Sequence, residues 1–226
     1  MSLYIVLVYF HVLLFVFWLG ADLGVAVAGA QFRKHETYSL PERLALLKLL
    51  VMIDMGPRSA WALMVGSTVS LLAAGGYWDV PVWGVVVAWA VSLFWLWLVW
   101  RIHSLQQDPK AAPLKPVESV LKWSLAIFYL GLGLYSLIYY TPLSQAWLSV
   151  KAVLFGFIFV AAILIDVRFR PVGPLLMKLV EQGSSEETEA PLLATMNRSR
   201  FWVRVTYILL VIVGFIGTTK WVPFVP

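Results

Sequence analysis

The sequence predicts an all-α fold, a polytopic membrane bundle of about six transmembrane helices with both termini outside. Three observations lead there. Charged residues make up 13% of the chain and hydrophobic ones 61%, whereas a soluble domain carries about 25% charge. Mean hydropathy is +0.84, so lipid rather than water is the main solvent. Apolar runs of membrane-crossing length, roughly 20 residues, recur along the whole chain, which therefore reads as one membrane domain over 1–226.

The first run covers 3–30. It is longer than the ~7–15-residue apolar region of a secretory signal, and no basic segment precedes it, so it is expected to remain as a helix. The second span, 59–76, follows an amphipathic approach from Pro41 to Gly56. There Leu44, Leu47, Leu50 and Val51 recur at helical spacing beside Arg43 and Lys48. Pro57 has no amide proton, which predicts a break or kink at Gly56-Pro57. The approach then lies at the interface or extends the span inward. The remaining spans are 81–102, 119–140, 145–166 and 202–219.

Basic residues fall in alternate connections. Residues 31–48 hold Arg33, Lys34, Arg43 and Lys48; 101–118 hold Arg101, Lys110 and Lys115; 167–201 hold Arg168, Arg170, Lys178, Arg198 and Arg200. The connections 77–80 and 141–144 hold no Lys or Arg. The positive-inside rule therefore puts both termini outside, in a bacterial inner membrane. The acidic, Ser-rich run Gly183 to Glu189 is expected to be mobile and solvated. The net charge of +5 fits basic loops facing anionic lipid; no nucleic-acid motif is present. The absence of cysteine excludes disulfides, iron–sulfur clusters and thiolate metal sites.

Polar side chains inside apolar spans are costly and mark candidate sites. His11 and Asp22 lie eleven residues apart, close to three turns, so they share a face with Phe15 and Trp18. His11 sits about 12 Å from the outer end at ~1.5 Å per residue. A neutral imidazole there is a heme or metal ligand or a core histidine bonded to a neighbouring hydroxyl or carbonyl. Lys151 lies a turn and a half inside the fifth span. It is a ligand, an anion or propionate partner, or a lysine snorkelling to the interface. The topology puts it at the depth of His11.

Asp22, Asp54 and Arg58 gather toward the inner side, with Arg101 and His103 at the inner end of the third span. Asp54 and Arg58 are spaced for an ion pair across one helical turn, and Pro57 between them threatens it. A proton path, or a second cofactor ligand at His103, are the other readings. Six of the twelve tryptophans fall between Trp78 and Trp100. Trp78, Trp83 and Trp100 suit interfacial belts, while Trp89, Trp95 and Trp97 are deeper. Gly20, Gly24 and Ala28 form a ridge for close helix approach, within the chain or between copies in a homo-oligomer.

The stretch His11-x6-Trp18-Leu19-Gly20 resembles the opening helix of HemJ-type protoporphyrinogen oxidases and of copper-resistance D-type membrane proteins. Arg43-Leu44, then Pro57, then a helix containing Gly66, is similar to the HemJ arginine–proline–glycine stretch. Trp147-Leu148-Ser149-Val150-Lys151 is similar to the Trp-Leu-His-Val-Lys opening of a later helix, with Ser149 in place of histidine. The resemblance implies heme b held by His11 and Lys151 as iron ligands, with Lys151 alternatively a propionate partner. Trp18, Arg58 and His103 complete the candidate cofactor-binding set. It implies an electron-transfer or oxidoreductase role, with a quinone or another redox partner. HemJ proteins have about four spans and a Tyr-Leu-Pro-Arg stretch where this chain has the small, apolar Ala21 to Gly29. The resemblance therefore carries heme binding further than protoporphyrinogen oxidation. The buried charge set Asp22, Asp54 and Arg58 supports a different class, a proton-coupled or metal transporter or channel. The small-residue ridge supports a third, a non-catalytic membrane subunit.

Overall fold

The computed structural model describes residues 2–105 and 108–222. Among them there are seven α-helices and no strand: α1 (Leu3–Phe32), α2 (Leu40–Ala74), α3 (Val82–Ser104), α4 (Leu114–Tyr139), α5 (Ala146–Phe169), α6 (Val172–Gln182) and α7 (Glu186–Thr219). A single 3₁₀ turn at 109–111 precedes α4. Five segments, containing α1, α3, α4, α5 and α7, are long and apolar enough to cross a membrane. The chain is a multi-pass helical membrane bundle. α2 is long enough but less apolar, and its position explains why. Residues 60–72 of α2 are mostly buried against neighbouring helices, so small and polar residues such as Gly66, Ser67 and Ser70 face protein instead of lipid.

Two sets of three helices build the bundle. α2 packs between α1 and α3, and α5 packs between α4 and α7, while the contacts joining the sets, α3 to α4 and α1 to α7, are slight. Small residues allow the close pairs. Gly24 faces Ile53 and Gly56 faces Ala21 between α1 and α2. A Cβ on Gly133 would stand 2.7 Å from the Ser149 carbonyl oxygen, and one on Gly156 would stand 2.9 Å from the Leu130 amide, so α4 and α5 touch backbone to backbone. The Gly24 and Ala28 part of the small-residue ridge serves packing within the chain, with Ala28 buried; Gly20 faces open space. Large rings join the two sets. Trp61 meets Phe159 with centroids 4.7 Å apart, Trp95 meets Phe159 at 5.6 Å, and Trp18 meets Phe155 at 6.2 Å.

Two expectations are corrected. The helix does not break at Gly56-Pro57; of the two readings of the approach, the one that extends the second span inward holds, in one helix over Leu40–Ala74 with Pro57 inside. Pro57 removes the hydrogen bond to the carbonyl four residues back. The turns around it are stapled instead by side chains: Arg58 Nε donates to Asp54 Oδ2 at 2.6 Å and the Ser59 hydroxyl donates to the Met55 carbonyl at 2.7 Å. The predicted ion pair therefore survives the proline.

The long connection 167–201 is not a loop. It holds α6 and the first turns of α7, and the run Gly183 to Glu189 is not solvated throughout. The Ser185 amide donates to Thr188 Oγ1 at 3.0 Å, which starts α7. Glu189, 3% exposed, accepts both Arg43 terminal nitrogens, Nη1 at 2.5 Å and Nη2 at 2.9 Å. Arg43 Nε donates to the Phe32 carbonyl at 2.7 Å. This pair clamps α1, α2 and α7 over a small apolar cluster of Phe32, Leu179, Leu192 and Met196. It stands at the basic end of the bundle. The other end carries both termini, because Lys220 Nζ donates to Tyr77 Oη at 3.3 Å and Tyr4 packs on the turn at Gly75.

Candidate functional site

Between the two helix sets, toward the terminal end, lies a cavity of about 480 Å³. Ligand pockets span roughly 300–1,000 Å³. Its walls come from α1, α2, α4, α5 and α7, and no Asp or Glu lines it. Phe15, Trp18, Tyr129, Trp147 and Phe155 line it with rings, and His11 and Lys151 are its basic groups within the spans. The weak adjacency of the two sets leaves this space, because rings and not backbones hold them together.

His11 reaches the cavity from α1. Its Nδ1 lies 3.2 Å from Ser67 Oγ on α2, and Ser67 Oγ is also 3.2 Å from the Met64 carbonyl oxygen. A hydroxyl has one proton to donate. Given to the Met64 carbonyl, it leaves Ser67 Oγ as the acceptor of Nδ1–H. In a neutral imidazole bonded this way the lone pair is on Nε2, facing away from Ser67 and free to bind a metal.

Lys151 reaches the same space from α5. Its Nζ lies 5.8 Å from the centre of the Trp147 ring, and Gly217 on α7 makes room for it: a Cβ there would stand 2.7 Å from Nζ. Among the described residues no carboxylate pairs with Lys151. Ser149, at the position where the resembling motif has histidine, is fully buried and does not line the cavity. Its hydroxyl is 3.3 Å from the Leu143 carbonyl oxygen, closing the turn between α4 and α5.

Trp18 forms part of the cavity floor. It stacks on Trp61 with centroids 5.4 Å apart, and Trp61 meets Trp95 at 4.8 Å. Below this aromatic layer the seam is filled. Lys122 of α4, 5% exposed, pairs with Glu118 Oε1 and with Asp166 Oδ2, each at 2.9 Å, and its Nζ stands 5.7 Å over the Trp61 ring. Trp95 Nε1 donates to Glu118 Oε1 at 3.4 Å. The Tyr207 hydroxyl donates to the Asp22 carbonyl oxygen at 2.8 Å, tying α7 to α1.

Of the candidate residues, His11, Lys151 and Trp18 come together in the cavity. Arg58 and His103 do not line it. Arg58 is held by Asp54, and the His103 ring lies 6.2 Å from Trp100 near the end of α3. The set Glu118, Lys122 and Asp166 was missed by the sequence reading. Its signal is a Glu–Lys pair four residues apart at the start of an apolar span. Ser67 and Tyr129 were missed too; a lone hydroxyl in an apolar run carries little signal until its neighbours are known.

The water side of the cavity is lidded by rings. Tyr77 meets Trp147 edge-on at 5.7 Å, and Lys220 Nζ stands 5.8 Å over Tyr77 and 5.9 Å over Trp147. Hydrogen bonds first from Tyr4 and then from Lys220 hold the Tyr77 phenol below its ordinary pKa, and the bond to Tyr77 raises that of Lys220. No protein-family model, curated protein or solved structure matches the chain.

Proposed function

We propose that the protein binds heme b in this cavity and serves an electron-transfer or oxidoreductase role in a bacterial inner membrane, with the cavity in the outer half of the bilayer. The observation that carries the reading is the meeting of His11 and Lys151, from two different helices, in one aromatic-walled cavity without a carboxylate. Among the described residues no three His, Asp or Glu side chains gather around a point. A pair of one imidazole and one amine is too few for an ion held by protein alone. It suits an iron whose other ligands belong to a macrocycle.

His11 would hold the heme iron through Nε2, with Ser67 holding the ring's tautomer and orientation. Lys151 would hold a propionate, the anion that an ammonium without a carboxylate lacks, or ligate as the neutral amine. Trp18 and Phe155 would pack on the ring system and exclude water. The heme, when bound, supplies one-electron chemistry, and a quinone or another redox protein would exchange electrons with it.

Purified protein is expected to show a Soret band, and His11→Ala to remove or shift it while the protein stays folded. A colourless preparation from heme-replete cells overturns the reading.

A further inference from the structure

Three apolar residues that line the cavity are also exposed: Val12 at 46%, Val211 at 56% and Phe215 at 51%. In a membrane, the outside at these depths is lipid. Val12 lies on α1, and Val211 and Phe215 on α7, the two helices whose mutual contact is slight. The Tyr207–Asp22 bond closes their seam at the basic end. Further along, a ring stands between the two helices: a Cβ on Gly214 would meet Phe15 Cζ at 2.7 Å and Cε1 at 3.1 Å, so Phe15 occupies the space that Gly214 leaves. There the seam is spanned by a side chain and not by close backbone contact, while the water side carries the lid of Tyr77, Trp147 and Lys220.

We propose that the cavity is loaded sideways from the bilayer, through the slot between α1 and α7, and that its ligand is a lipid-dissolved amphiphile with a flat ring system and an acidic end. Lys151 meets the acid, and Trp18 and Phe155 meet the rings. A molecule dissolved in the leaflet arrives already stripped of bulk water at its apolar part. It enters past Val12 and Phe215, and Phe15 turns aside to admit it. The proposal rests on the cavity assigned above and not on iron, so it can fail or hold whether or not a Soret band is seen.

The absence of native cysteine makes a single-thiol test clean. Thr68, on α2, lines the cavity. In vesicles, Thr68→Cys is expected to react with a pyrene maleimide dissolved in the bilayer at least about tenfold faster than with a charged, membrane-impermeant maleimide in the water, so that the electrophile is the same and the ratio reports access, a difference of the size that partitioning by an apolar probe gives.

Val211→Trp, at a lipid-facing position where a larger side chain is tolerated, narrows the slot and slows the lipid-borne reaction alone. Phe15→Ala speeds it. Phe215→Trp repeats the narrowing independently should the first variant fold poorly. A pyrene-bearing carboxylic acid is expected to protect the thiol. Its methyl ester should protect less well by about tenfold, the size of a lost charge-assisted hydrogen bond. Lys151→Met should erase that difference.

Equal rates for the two thiol reagents, unchanged by Val211→Trp, would mean entry from water and overturn the route. No reaction with either reagent overturns the cavity's accessibility altogether. Equal protection by acid and ester overturns the acidic ligand and leaves the route standing.

Discussion

The two ends of the seam between the helix sets are built from the same materials and handled in opposite ways. At the basic end, cations inside the bundle are matched. Arg43 is locked to Glu189 by two bonds, Lys122 is shared by Glu118 and Asp166, and Arg58 holds Asp54. At the terminal end Lys151 projects into an apolar cavity with no carboxylate in its walls among the described residues. A charge taken out of water is stabilised only by partners or a ligand. The matched end is therefore an internal fastening, while at the other end the described residues supply Lys151 with no opposite charge; that is the feature on which the proposed anionic ligand rests. Exposure alone does not separate the two, since Arg58 at the matched end is exposed while Lys151 at the other is half-buried; what separates them is whether the described residues supply the opposite charge.

The strongest way to break this contrast is at Arg43. Arg43→Ala leaves Glu189 buried beside Ser184 with its cation gone and also strips a donor from the Phe32 carbonyl. Removing one partner of a buried pair costs about 3–5 kcal/mol. Denaturant titration in mixed micelles is expected to show a loss of that size. A loss below ~1 kcal/mol, the range of exposed pairs, would mean that water reaches the clamp and that it fastens nothing.

A paired comparison sharpens the point. Lys122→Met leaves Glu118 without its cation in the seam, and Asp166, whose side chain is 47% exposed, partly recovers by solvation. The expected loss is about 2–3 kcal/mol, reduced for that exposure. Lys151→Met removes a cation with no partner, so stability should stay level or rise by about 1 kcal/mol, while heme retention or acid binding falls. Equal destabilisation by the two variants would make Lys151 a structural group and remove the distinction between the ends.

Much of this was readable in the sequence because lipid imposes simple rules. The helical membrane fold follows from apolar run length, and His11 and Lys151 announce themselves as polar groups at matching depth, with Trp18 on the same helix face as His11. Which of the two readings of the approach to α2 holds was not readable. Proline chemistry argues for a break at Pro57, and only the neighbouring bonds of Arg58 and Ser59 and the packing of α1 against Gly56 show why the helix carries on. Nor could Glu189 be separated from the other acids of its run: it is the partner of Arg43, 146 residues earlier, and such pairing is set by tertiary packing alone. The hydroxyl of Ser67 gains meaning only when α2 brings it to His11.

The smallest expected effect tests the layer between the two ends. Tyr129 lines the cavity and is 3% exposed, yet its hydroxyl has no hydrogen-bond partner in the structure, and neither has Trp61 Nε1 in the same aromatic cluster. A buried hydroxyl left unpaired costs about 1–3 kcal/mol relative to its hydrated state. Tyr129→Phe removes the oxygen and keeps the ring contacts with Phe155 and Phe159, at 4.8 and 6.0 Å. If the layer is as dry as its rings suggest, the variant should be more stable by about 1 kcal/mol, read as a higher unfolding midpoint in the same micelles. If instead Tyr129→Phe is less stable by a similar amount, the hydroxyl is bonded to a water or a ligand atom reaching down from the cavity. The boundary between the waiting end and the fastened end would then lie one layer deeper, at Trp61 and Lys122.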